Sequence, residues 1–162
     1  MKRRALPILA LLAVCAVLPA QAAVTVNCTA SASSIAFGTY NPLNAVNATS
    51  TGTLRVTCNG SGSGSTSVTV GVTLSTGLSG TYAARKMFSG ANSLNYNIYW
   101  STAYSQVMGD GSGGSFAGSA GPFTVFAGGS NTATGTMYGR VPALQDVAAG
   151  NYVDTILVTV TY

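Results

Sequence analysis

The sequence predicts an all-β chain folded as an antiparallel immunoglobulin-like sandwich. Three observations carry this. Beyond residue 22 there is no Glu and a single Lys, and no segment sustains apolar residues at i, i+3 and i+4. Gly, Ser, Thr, Asn, Val and Tyr dominate, which is the vocabulary of short strands and tight turns. Apolar residues alternate with period two in roughly seven stretches separated by turn signals, the spacing of a sandwich.

The first 22 residues are expected to be an export signal and not part of the fold. Lys2, Arg3 and Arg4 precede an apolar run from Ala5 to Leu18, Pro19 breaks it, and Ala20-Gln21-Ala22 is a small-x-small cleavage site. The run is too short to span a bilayer, which needs about 20 residues. Cleavage falls after Ala22 or Ala23 and leaves one domain, 23–162. Cys15, after Leu12-Ala13-Val14, raises a lipid-anchored alternative. Val14 opposes it, because the position before a lipid-modified Cys is normally small.

Within 23–162 the expected strands come in order. A short one surrounds Ile35-Ala36-Phe37. Leu54–Cys58 and Ser67–Leu74 alternate clearly, the second with Val68, Val70, Val72 and Leu74 on one face. Leu94–Trp100 places Leu94, Tyr96, Ile98 and Trp100 together, and these read as core. Phe123–Phe126 and Thr134–Tyr138 are weaker. Tyr152–Tyr162 is the strongest pattern of all. Asn59–Ser65, Thr76–Gly80, Gly109–Gly121 and Gly128–Asn131 read as turns or loops, with Gly109–Gly121 long and flexible.

Composition excludes several function classes. Four cations (Arg55, Arg85, Lys86, Arg140) face three acids (Asp110, Asp146, Asp154), so the mature net charge of +1 gives no pull toward a phosphate backbone. The chain has no His, which removes imidazole catalysis and imidazole metal sites. Asp110 reads as a turn residue in Gly-Asp-Gly, and Asp154 as a partner of Arg140 or a turn cap. Two carboxylates could by number serve a glycosidase, but nothing in their placement supports one. Gly60, Gly62 and Gly64 precede neither a helix nor a Lys, so they form a hairpin and not a phosphate loop. No catalytic, cofactor or metal residue is expected, and the chain reads as a non-enzyme. Cys28 and Cys58 remain after export and read as a disulfide, closing a loop of about 30 residues worth roughly 3–4 kcal/mol; two free thiols are the alternative.

The segment YVDTILVTVTY puts Ile156, Val158, Val160 and Tyr162 on one face and runs to the last residue. Edge strands normally carry charge, Pro or a bulge, and nothing after Asp154 supplies one. The strand therefore either lies in mid-sheet between two of the chain's own strands or lacks a neighbour that another polypeptide must supply.

The order of motifs decides between these by resemblance. Cys28 is followed by Ile35-Ala36-Phe37-Gly38-Thr39-Tyr40 and Leu54-Arg55-Val56-Thr57-Cys58. Then come Ala84-Arg85-Lys86-Met87, Leu94-Asn95-Tyr96-Asn97-Ile98-Tyr99 and Gly109-Asp110-Gly111. Last are Tyr138-Gly139-Arg140-Val141-Pro142, Gln145 and Gly150-Asn151-Tyr152-Val153-Asp154-Thr155. In this series nearly the whole mature chain resembles the spore coat protein U-like subunits of archaic (Csu-type) chaperone–usher pili. The resemblance implies an incomplete sandwich lacking its final strand. A periplasmic chaperone would lend that strand, and a neighbouring subunit would replace it during assembly at an outer-membrane usher. It implies passage through the periplasm to a pilus or coat at the cell surface, and an adhesive or biofilm role. The expected groove and chaperone contacts are Ile156, Val158, Val160 and Tyr162. Four or five apolar side chains at roughly 1.5–3 kcal/mol each would give a gross gain near ten kcal/mol.

One departure stands out. Only Ala23–Asn27 would lie between the cleaved signal and Cys28, a reach of at most about 18 Å. That is about half a donor strand, so the subunit is expected to accept a strand and donate poorly, which suits a tip-proximal place. A self-sufficient carbohydrate-binding sandwich, using Tyr, Trp and Asn on its loops, is the alternative. Tyr99 and Tyr104 are candidate surface contacts. Val107, Met108 and Phe116 form a candidate surface-contact loop toward an abiotic or host surface. Phe116→Ser should lower adhesion, measured as cells retained on a surface, and leave assembly intact.

Overall fold

The computed structural model describes residues 23–162; the expected export signal lies outside the described residues. Eight strands form two antiparallel sheets. In chain order they are β1 (Thr25–Ala32), β2 (Ala48–Ser61), β3 (Ser65–Leu74), β4 (Arg85–Ser89), β5 (Asn92–Tyr99), β6 (Gly118–Phe126), β7 (Ser130–Val141) and β8 (Val158–Thr161), with one 3₁₀ turn at Gly77–Ser79. The larger sheet has the order β1-β2-β7-β5-β4 and the smaller β6-β3-β8. The described residues are therefore all-β and their sheets antiparallel, in line with the composition.

Period-two alternation is realised where it was clearest. Leu54, Val56 and Cys58 of β2 are buried and meet Val68, Val70, Val72 and Leu74 of β3 across the sandwich. Leu94, Tyr96 and Ile98 of β5 join them, with Met137 and Val141 of β7 and Val125 of β6. Trp100 packs against this core from its rim. Cys28 and Cys58 are direct partners in the β1–β2 register and form a disulfide, which fixes the edge strand β1 to β2.

Three expectations change. Ile35-Ala36-Phe37 is not a strand. This segment crosses the inner face of the large sheet, where Gly52 and Gly139 leave room. A Cβ on Gly52 would lie 2.8 Å from Ile35 Cγ1, and one on Gly139 would lie 2.7 Å from Phe37 Cζ. A backbone lying across a sheet face cannot join its hydrogen-bond ladder.

The strand expected over Tyr152–Tyr162 is regular only from Val158 to Thr161. Upstream, Val153 exchanges hydrogen bonds with Phe88 on β4 (2.8 and 3.0 Å). Leu157 O then accepts from Ser75 N (2.9 Å) at the end of β3. The segment thus leaves the edge of one sheet and joins the other, which interrupts a single ladder.

Gly109–Gly121 is not a long flexible loop. Asp110 Oδ1 accepts hydrogen bonds from Ser112 N and Oγ (2.8 and 2.6 Å), Met108 bridges Phe116, and β6 begins at Gly118. These hydrogen bonds hold the Asp110 carboxyl below its ordinary pKa.

The residue that sequence patterning missed is Arg85. Its guanidinium is fully buried. It donates to Ser75 O from Nε (3.2 Å) and Nη2 (2.7 Å), to Met108 O (2.7 Å) and to Asn97 Oδ1 (2.8 Å), and it lies over the Tyr82 ring. Burial lowers its pKa, yet neutral acceptors satisfy the cation without a carboxylate. Arg85→Met should cost about 3 kcal/mol in urea unfolding, because the carbonyls of Ser75 and Met108 are stranded. Arg85→Lys should recover less than half, since an ammonium cannot span the fork.

Candidate strand-acceptor groove

A three-stranded sheet cannot cover a five-stranded one, and the uncovered part of the inner face is a groove of about 450 Å³. Its floor is the core itself: Leu74, Met87, Tyr96, Ile98 and Met137. One wall is the chain leaving β1, Ala32 to Ile35, with Phe37 set edge-on to Tyr96 at 6.0 Å. The other wall is Tyr152 to Ile156, continued by Val158.

The edge of β8 is open. β8 pairs with β3 alone, with Val158 opposite Leu74 and Thr161 opposite Gly71. Leu157 donates its N–H to Ser75 Oγ and accepts at its O from Ser75 N, so its main-chain groups face β3. Alternation then turns the main-chain N–H and C=O of Val158 and Val160 toward the open side. Two other free edges are managed: β6 carries Pro122, and β4 is met by Val153. β8 has no such device among the described residues.

The expected groove residues separate in the structure. Ile156 and Val158 line the groove. Val160 is half-buried against the core beyond it. Tyr162 is 58% exposed and lies outside the groove.

The candidate surface-contact loop also divides. Met108 is only 1% exposed and belongs to the core, because its N–H is bound by Ile98 O. Phe116 is 45% exposed, and Val107 is half-buried opposite Tyr99. Tyr99 is buried as well. Met108 and Tyr99 are therefore not surface contacts.

Asp154 anchors the groove wall and does not pair with Arg140. Its Oδ2 accepts the Tyr96 phenol (2.7 Å), and its Oδ1 accepts the N–H groups of Leu78 (2.9 Å) and Thr155 (2.8 Å). Gly77, at φ +67°, packs so closely on this carboxylate that no Cβ would fit. Burial, and then the hydrogen bond to Asp154, push the Tyr96 phenol far above its ordinary pKa. Tyr96 is thus a permanent donor that ties the groove floor to its wall. Among the described residues no cluster of His, Cys, Asp or Glu could hold a metal.

Comparison with known proteins agrees with this geometry. A family model, the Spore Coat Protein U domain, matches residues 14–159. The chain belongs to this family. Among solved structures, one similar fold comes from Acinetobacter baumannii. It is the crystal structure of the CsuC–CsuE chaperone–tip adhesion subunit pre-assembly complex from archaic chaperone–usher Csu pili. The match has a TM-score of 0.57 at 21% identity, over 85% of this chain and 40% of that one. This spore coat U domain thus spans less than half the length of the chain it matches. No curated protein sequence matches it.

Asp154→Ala should destabilise the domain by about 2 kcal/mol, the loss of charge-assisted hydrogen bonds at a partly buried site. Tyr96→Phe should cost about 1 kcal/mol, and the double variant less than the sum, because both remove one shared contact. Urea midpoints of the three variants test this.

Proposed function

We propose that this spore coat U domain is a structural subunit of an archaic chaperone–usher pilus or surface coat, with a groove that accepts a β-strand from another polypeptide. The observation that carries this reading is the open edge of β8 beside an apolar groove. An incoming strand would find the main-chain groups of Val158 and Val160 on its flank and the side chains of Ile156, Val158 and Met137 beneath it. Strand addition of this kind draws affinity from the ladder and specificity from alternate side chains. The partners are a periplasmic chaperone first, then another subunit, with an outer-membrane usher as the assembly site. Family membership and the likeness to a chaperone-bound tip subunit support this assignment. The role is mechanical and adhesive and not enzymatic. Residues 1–22 would direct export, and 23–162 would form the assembled domain.

The placement near a fibre tip has its own support. Thr25, Val26 and Asn27 are already paired with Ser61, Gly60 and Asn59 in β1–β2. Residues committed to the chain's own sheet are not free to fill a neighbour's groove, so this subunit accepts a strand more readily than it gives one.

Periplasmic co-expression tests the reading. Co-expressed with a periplasmic chaperone of the archaic chaperone–usher class, the chain should co-purify as a one-to-one complex. Expressed alone, it should aggregate or be degraded. Val158→Asp, which sets a charge beneath the incoming strand, should abolish the complex. A lone chain that is monomeric and folded, with no gain from the chaperone, overturns the proposal.

A further inference from the structure

Charge on the folded chain is segregated. None of the eight strands contains Asp or Glu, while Arg55, Arg85, Lys86 and Arg140 all lie on strands of the five-stranded sheet. Arg85 points inward. Arg55 alternates with buried Leu54 and Val56, Lys86 with buried Arg85 and Met87, and Arg140 with buried Gly139 and Val141. Arg55, Lys86 and Arg140 therefore face outward. None of the three forms an ion pair among the described residues.

Arg140 is the most constrained of them. Its guanidinium lies 5.1 Å from the centre of the Tyr99 ring and 4.9 Å from that of Tyr104, and Nη2 donates to the Tyr99 hydroxyl (3.2 Å). Tyr104 holds this position with φ at +51°, a left-handed conformation uncommon for an aromatic residue. Its loop is closed by Tyr104 N to Ser101 O and by Trp100 N to Gln106 O, each 3.1 Å. No buried side-chain nitrogen among the described residues lacks a partner, so the remaining Arg140 donors open to solvent. Beside it on the same face stand Thr49, the Cα partner of Arg140, and Thr51, the partner of Tyr138.

We infer that this outer face is a binding site for a carboxylate-bearing polysaccharide, with Arg140 and Tyr104 at its centre. A planar guanidinium with free donors matches a carboxylate in a two-bond fork. A tyrosine ring alongside offers an apolar body and a hydroxyl to a sugar ring. Arg55 opposes Thr134 on β7, six residues from Arg140, or about 20 Å along the strand at 3.3 Å per residue. That separation suits an extended polyuronate and not a single sugar. A nucleic acid fits less well. Three outward cations fall below the six to ten phosphate contacts of an ordinary phosphate-backbone binder. The face lies on the opposite side of the sheet from the groove, so the inference holds whether or not the groove takes a strand.

The test is gel retardation of the purified protein, in complex with its strand partner where it has one. The gels contain sodium polygalacturonate, neutral dextran or a short DNA duplex. Polygalacturonate should retard the protein and dextran should not. Arg140→Gln should weaken retardation about tenfold, the loss of one charge-assisted pair. Tyr104→Ala, which removes the ring beside Arg140 and its edge-on contact with Tyr99 (5.4 Å), should weaken it severalfold under conditions where the variant is fully folded by its urea curve, and it carries the test if Arg140→Gln does not fold. Polygalacturonate binding that both variants retain in full overturns the inference. So does DNA binding as tight as polyuronate binding, since the face would then be a general anion attractor.

Discussion

The mismatch between a five-stranded and a three-stranded sheet governs this structure. A sandwich is stable when each inner face is covered, because buried apolar area is its main source of free energy. Here the smaller sheet stops at β8, and Met87, Tyr96, Ile98 and Met137 look into a groove that the chain's own segments line but do not fill. The segment Ile35–Phe37 and the crossing strand from Tyr152 onward narrow that opening from both sides. The first does so with side chains packed on the core and a backbone outside the ladder, and the second as it passes from its pairing with Phe88 to its pairing with β3.

Polar interactions hold the walls where apolar packing is incomplete. Asp154 gathers Tyr96, Leu78 and Thr155, and so fixes the point where the last segment turns from one sheet to the other. Arg85 joins the end of β3, the start of β4, β5 and the Met108 turn through one guanidinium. The Asp154 site lies in the groove wall, so its hydrogen bonds help to set the shape of the groove.

The two faces of the large sheet serve different chemistry. The inner face is apolar and floors the groove beside β8 of the smaller sheet. The outer face is rich in threonine hydroxyls, holds three cations and carries no acid.

What the sequence alone determined is local. Alternation fixed the inward residues of β2, β3 and β5, since a two-residue period allows only one choice of face. Export context and cysteine count pointed to the Cys28–Cys58 bond, and motif order pointed to the family. The tertiary structure decided the rest. Alternation cannot tell that Tyr152–Tyr162 changes sheets, because both sheets accept the same pattern and only the Val153–Phe88 and Leu157–Ser75 contacts divide it. It cannot tell that Ile35 and Phe37 plug the holes over Gly52 and Gly139, or that Arg85 is buried. Those facts depend on neighbours distant in sequence, and they fix where the walls of the groove stand.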